Sequence, residues 1–258
     1  MCLIAFAIDS HPLYRLVLVA NRDEFRHRAT LPADFWLDAP HVLAGRDGQA
    51  GGSWIGITRG GRLAAVTNYR DKRQQVINPP SRGLLVAGYL RDTGMSTERF
   101  TAELQRNATT YDGFNLMYGS CDSLWYFTNR GGSSGKVGPG VHALSNHLLD
   151  TSWPKVVAAR QRLTACLEYP SIDPMDLLEL LADPTPFADE LLPDTGIGPE
   201  YERFLSPLFI RGEQYATRST TVIVVRRDGR VRYLEQNHDD PAVPLRNFEF
   251  SLAPDVSQ

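Results

Sequence analysis

Apolar positions open the chain as a strand-like run, Cys2-Leu3-Ile4-Ala5-Phe6-Ala7-Ile8. A second run covers residues 16–20, and the turn-forming Asp9-Ser10-His11-Pro12 lies between them. Short apolar or β-branched runs bounded by turn residues predict a β-hairpin. Residues 54–58 and 63–67 flank Arg59-Gly60-Gly61-Arg62 as a second hairpin. Residues 114–118 and 123–128 read as a third strand pair. Residues 220–225 and 231–234, around Arg226-Arg227-Asp228-Gly229-Arg230, read as a fourth hairpin. Residues 140–144 form a strand that delivers Ser145-Asn146, and residues 248–252 a final strand. Residues 82–90, 97–107, 154–167 and 175–182 carry helical patterns, with Pro154 at a first position where its missing N–H costs nothing. Segments 21–51, 131–140 and 184–199 are polar or rich in Pro and Gly and read as loops.

Hairpins dominate and the helices fall in two blocks, so the expected class is α+β. Two largely antiparallel sheets stack, with helices on their outer faces. The 258 residues show no internal repeat and no linker, so a single domain over 1–258 is expected.

Composition narrows the partners. Lys and Arg number 27 against 30 Asp and Glu, a net charge of −3, which argues against a nucleic-acid groove or an anionic membrane surface. No apolar run is long enough to span a bilayer, and no basic segment precedes the first one. A cytoplasmic protein acting on a small molecule is expected. Cys2, Cys121 and Cys166 are the only cysteines and have no C-x-x-C spacing, so neither a disulfide framework nor a zinc site is expected. The six histidines, His11, His27, His41, His142, His147 and His238, lack metal-ligand spacing.

The chemistry begins at Cys2. Removal of Met1 would leave one residue with both a thiol and an α-amine, whose pKa of ~7.7–8 suits it to take the thiol proton. Taken alone, Cys2 reads equally well as a small buried strand residue. Asn21-Arg22-Asp23-Glu24 follows the second strand directly. Pairing of the first two strands would set Arg22 and Asp23 beside Cys2, where a guanidinium favours the thiolate. A strand-end cap would use the same residue types. Gly51-Gly52-Ser53-Trp54-Ile55-Gly56 allows close backbone approach but lacks the spacing and Lys of a phosphate loop. Asn68, in Thr67-Asn68-Tyr69-Arg70, and Asn146, in Ser145-Asn146-His147, are candidate oxyanion donors or plain turn residues. Arg218, in Thr217-Arg218-Ser219-Thr220-Thr221, could bind a carboxylate or sit at a sheet edge.

Together, in this order, these motifs resemble the NRDE family, also called the transport and Golgi organisation family. The resemblance spans nearly the whole chain. It implies a four-layer αββα sandwich like that of the N-terminal-nucleophile hydrolases, distantly similar to cholylglycine hydrolase and penicillin V acylase. By that likeness Cys2 is the nucleophile, Arg22 supports the thiolate, and Asp23 holds the α-amine. Asn68 and Asn146 form the oxyanion hole and Arg218 completes the site. Asn21, Glu24, Trp54 and Tyr69 are the candidate ligand contacts. The implied activity is hydrolysis of a linear amide, or acyl transfer, with no cofactor and no metal. The alternative is a non-catalytic carrier of haem or of an acyl-CoA or lipid-like ligand.

Overall fold

The computed structural model describes residues 2–253. Its strands are β1 (Cys2–Ile8), β2 (Tyr14–Phe25), β3 (Thr30–Trp36), β4 (Ala39–Asp47), β5 (Ile55–Thr58), β6 (Arg62–Asn68), β7 (Phe114–Ser120), β8 (Ser123–Thr128), β9 (Gly135–Lys136), β10 (Gly140–Leu144), β11 (Tyr215–Arg226), β12 (Arg230–Asn237) and β13 (Arg246–Ser251). The helices are α1 (Gly83–Arg91), α2 (Thr97–Asn107), α3 (Pro154–Cys166) and α4 (Pro199–Phe204). One sheet runs β10-β1-β2-β11-β12-β13 and the other β3-β4-β5-β6-β7-β8-β9. The strands of both sheets pair antiparallel. Among the described residues no helix is long and apolar enough to cross a membrane.

Side-chain alternation builds three apolar layers. Ile4, Phe6, Leu16 and Leu18 face Ile55, Leu63 and Met117 between the sheets. Leu3, Ala5, Val17 and Val19 point the other way, against Val156, Ala159 and Leu163 of α3. Ala64, Val66 and Tyr118 carry Val86, Leu90, Phe100 and Leu104 of α1 and α2 on the far face. Each fully buried large apolar side chain contributes ~1.5–3 kcal/mol. Surface ion pairs give ~0–1 kcal/mol, so these layers rather than the ion pairs hold the sandwich.

Two expectations are corrected. Segment 21–51 is mostly strand: β2 runs on to Phe25, and β3 and β4 follow. Its polar residues looked loop-like, but Asn21, Arg22, Asp23 and Asp47 are buried within strands. Pro32 is tolerated because β3 is the outermost strand of its sheet. Residues 175–182 hold only a single 3-10 turn, Asp176–Glu179, instead of an α-helix. Leu177, Leu178 and Leu181 are buried there all the same, so the apolar pattern marked core contact without marking helix length.

The inter-sheet layer is tight at Gly45 of β4. A Cβ on Gly45 would lie 2.3 Å from two ring atoms of Trp54 and 3.3 Å from Glu235 Oε2. Gly45→Ala is therefore expected to cost ~1–3 kcal/mol, as overpacked cores do. Urea denaturation checks this, and an unchanged midpoint would mean that the indole swings aside freely.

Candidate active site

The site is built at one end of the sandwich by strand register. Cys2 of β1 stands opposite Arg22 of β2. On the other side of β2, Thr217 of β11 pairs with Asp23 and Ser219 with Arg22, so Arg218 sits in the bulge between them. Alternation then divides the Asn21-Arg22-Asp23-Glu24 tetrad between two faces. Arg22 and Glu24 share the inter-sheet side with Cys2, whereas Asn21 and Asp23 share the α3 side with Val17 and Val19.

A cavity of about 450 Å³ opens here. Cys2, Arg22, Asp23 and Glu24 line it from one sheet, and Asp47, Trp54, Val66 and Asn68 from the other. Pro79, Pro80, Ser81, Arg82 and Gly83 form another wall, and Arg28 and Asp112 also reach it. The Arg22 guanidinium lies 4.2 Å above the Trp54 ring and donates to Thr30 Oγ1 at 3.0 Å. Arg28 holds Asp47 at 2.6 Å, with Glu24 at 4.0 Å.

Burial dominates the ionisation of the site. It pushes the half-buried Cys2 thiol up; the Asp23 carboxylate adds to this, while the Arg22 guanidinium and the Asp23 N–H pull it back. The sulfur is therefore held as the thiol. Burial also raises the Asp23 carboxyl, against the pull of Lys155 and of the Thr217 hydroxyl, which donates to Asp23 Oδ1 at 2.6 Å. Lys155 is 3% exposed and donates to the Leu205 carbonyl at 2.8 Å. Burial pushes its pKa down to about 8, with Asp23 resisting.

The two asparagines expected as oxyanion donors meet. Asn146 Nδ2 donates to the Asn68 carbonyl at 3.0 Å; Asn68 lines the cavity, and Asn146 does not. Around them the sheets are stitched together. Thr67 Oγ1 donates to the Ser145 carbonyl at 2.6 Å, and the Arg70 N–H to the Asn146 carbonyl at 2.7 Å.

Of the other expected residues, Glu24 and Trp54 line the cavity with Cys2, and Asn21, Tyr69 and Arg218 do not. Asn21 donates to the carbonyls of Leu181 at 3.0 Å and Leu208 at 2.9 Å. Tyr69 packs on His147, with ring centroids 4.9 Å apart. Arg218 donates to the carbonyls of Phe25 at 2.8 Å and Arg28 at 2.6 Å, bracing the turn that carries Arg28. Lys155, Arg82 and Asp47 are site residues that sequence reasoning missed. Only Lys155 left a signal: it shares the buried stripe of Ala159 and Leu163 at helical spacing, an unusual place for a charge.

Two antiparallel sheets face to face between helical layers are the fold of the N-terminal-nucleophile hydrolases. A mutant conjugated bile acid hydrolase from Clostridium perfringens shares it, with a TM-score of 0.53 and 10% identity over 96% of this chain and 92% of that one. The chain belongs to the Transport and Golgi organisation 2 family, which matches residues 1–240. It is 33% identical to the Transport and Golgi organization 2 homolog of Mus musculus, over 98% of this chain and 99% of that protein. It is 37% identical to the Bos taurus homolog, over 92% of this chain and 93% of that one.

Behind Trp54, Glu235 is 3% exposed and accepts from the Ala33 N–H at 2.7 Å. Burial raises its carboxyl from 4.5 to about 7. Between those values the folded state holds a proton that the unfolded state has lost. Its contribution is complete below pH 4.5 and is lost as pH rises through about 7. Glu235→Gln should remove ~2–4 kcal/mol of the stability difference between pH 5 and pH 8. Urea midpoints at the two pH values check this, and parallel profiles for parent and variant would refute it.

Proposed function

We propose that this protein is an N-terminal cysteine hydrolase that cleaves a linear amide through an acyl-enzyme thioester. The observation that carries this reading is the convergence of Cys2, Arg22, Asp23 and Asn68 on one cavity. A thiol held protonated by burial requires a base close by. Removal of Met1 would provide one as the Cys2 α-amine.

The amine takes the thiol proton, and the thiolate attacks the amide carbonyl. Arg22 steadies the sulfur charge, and Asp23 steadies the ammonium that forms. The Asn68 amide donates to the oxyanion, while Asn146, bound to the Asn68 carbonyl, holds that strand end in place. Collapse breaks the C–N bond, and the leaving amine takes its proton from the ammonium. Water then cleaves the thioester, its proton returning through the same amine, and the acid is released. An amine acceptor in place of water would give acyl transfer.

The carrier reading, for haem or an acyl-CoA or lipid-like ligand, draws on the family's association with transport and on a thiol that rests protonated. A single experiment separates the two. Protein with and without Met1 is treated with limiting iodoacetamide, and the labelled cysteine is located by mass spectrometry. Without Met1, Cys2 should label at least about tenfold faster than Cys121 and Cys166. Burial pushes the Cys121 thiol up to about 12, and it also raises the half-buried Cys166. Equal labelling of all three in protein free of Met1 would sink the hydrolase reading and favour the carrier. In an amide-hydrolysis assay, Cys2→Ala should abolish turnover and Cys2→Ser should weaken it strongly. Turnover by Cys2→Ala equal to the parent's would exclude Cys2 as the nucleophile.

A further inference from the structure

Arg22, Arg28 and Arg82 line the cavity together with Asp23, Glu24, Asp47 and Asp112, and Thr217 donates to Asp23 at 2.6 Å. Glu24 and Asp47 share Arg28, at 4.0 and 2.6 Å. Asp112 faces Arg130 at 3.6 Å. Among the described residues, that leaves Arg22 and Arg82 as cavity-lining cations with no carboxylate within 4 Å. Arg22 is occupied by the Trp54 face and by Thr30. Arg82 donates one nitrogen to the Gly113 carbonyl at 2.8 Å and lines the cavity, where Asp112 and Glu24 act on it from farther off.

The backbone at Arg82 is also anchored. Arg82 is the N-cap residue of α1, and the following Gly83 is clamped on the strand lead of the other wall. The Ser53 N–H donates to the Gly83 carbonyl at 3.0 Å. A Cβ on Gly52 would lie 2.5 Å from the Gly83 carbonyl carbon, and one on Gly83 2.8 Å from the Ser53 carbonyl oxygen. Gly52 and Gly83 therefore let α1 approach closely enough to bring Arg82 to the wall of the cavity that Cys2 lines. A guanidinium tethered at one nitrogen in a cavity wall is a recognition element for a compact anion.

We propose that Arg82 selects a substrate carrying an anionic group, a carboxylate or a phosphoryl, on the amide that Cys2 attacks. This rests on reading the cavity as the substrate site, and it makes Arg82 a specificity determinant. The aromatic and apolar wall of Trp54, Val66, Pro79 and Pro80 takes the uncharged part of the same molecule.

The test is equilibrium binding by calorimetry to Cys2→Ala protein, which needs no turnover. N-hexanoylglycine, with a carboxylate, is compared with neutral N-hexanoylglycinamide and with the phosphoryl compound N-hexanoyl-phosphoethanolamine. At least one anion should bind about tenfold tighter than the glycinamide, the scale of one charge-assisted contact. Whichever anion binds tighter identifies the group. Adding Arg82→Gln should abolish the preference for the anion over the glycinamide, while Arg82→Lys should restore part of it. Equal binding of all three compounds, binding of none, or an undiminished preference in Arg82→Gln would overturn the proposal. Its failure is distinct from that of the hydrolase reading, because Cys2 labelling does not depend on Arg82 preference and anion preference does not depend on Cys2.

Discussion

The pairing register between β1 and β2 is the constraint on which the site depends. Side chains alternate with a period of two, so a slip of one residue would carry Cys2 and Arg22 to opposite faces. Hydrophobicity alone cannot prevent that slip, because both faces of these strands are apolar and covered. The polar end of β2 prevents it. Asn21 must reach the carbonyls of Leu181 and Leu208, and Asp23 must reach Thr217. Moved to the inter-sheet face, these groups would lose those partners, at ~1–3 kcal/mol for each polar group left buried and unsatisfied. Asn21 thus shapes the candidate site without lining the cavity. Its anchoring of β2 is what leaves Arg22 on the same side as the thiol.

Burial is the second shared theme. Cys2, Asp23, Lys155 and Glu235 are all shifted toward their neutral forms, with desolvation the largest cause in each. Cys2, Asp23 and Glu235 therefore hold their protons more tightly, and Lys155 gives its proton up more easily. The buried pair of Arg70 and Glu202, at 2.8 Å, closes the outer side of this region and pins α4 to the end of β6. Glu202 also accepts from the Thr195 N–H at 2.8 Å, so the loop before α4 is fixed by the same carboxylate. Breaking one partner of a buried pair of this kind typically costs ~3–5 kcal/mol. The region around Asp23 is therefore stiff on the α3 side and open on the cavity side.

The hairpins, the antiparallel sheets and three of the four α-helices were legible because their signals are local: alternation, turn residues and helical periodicity. The stretch from Asn21 to Asp47 was not legible as strand. Its information lies in partners far along the chain, such as Thr217 for Asp23 and Glu235 for the Ala33 N–H. A polar residue buried by distant contacts looks in sequence like one exposed in a loop. The same limit applied to the site. Cys2, Arg22 and Asp23 could be brought together from one hairpin, but Lys155 and Arg82 arrive on helices whose packing no local pattern specifies. Arg218 shows the converse. Its motif pointed to the site, yet the bulge in β11 turns it to brace the carbonyls of Phe25 and Arg28.

That bracing links two sides of the cavity. Arg218 holds the turn after β2, and this turn carries Arg28 to Asp47 on β4 of the other sheet. The Gly52–Gly83 contact likewise fixes α1 to the lead of β5. Each contact ties a wall of the cavity to a different strand, so the mouth is defined by the separation of the two sheets. The large side chains between the sheets set that separation, with Trp54 pressed against Gly45 at the cavity floor. A change of volume in that layer would therefore move Arg22, Arg28 and Arg82 relative to the thiol without touching any of them. Core packing and the electrostatics of the site are in this way a single problem: the inter-sheet apolar layer sets the distance at which the charges act.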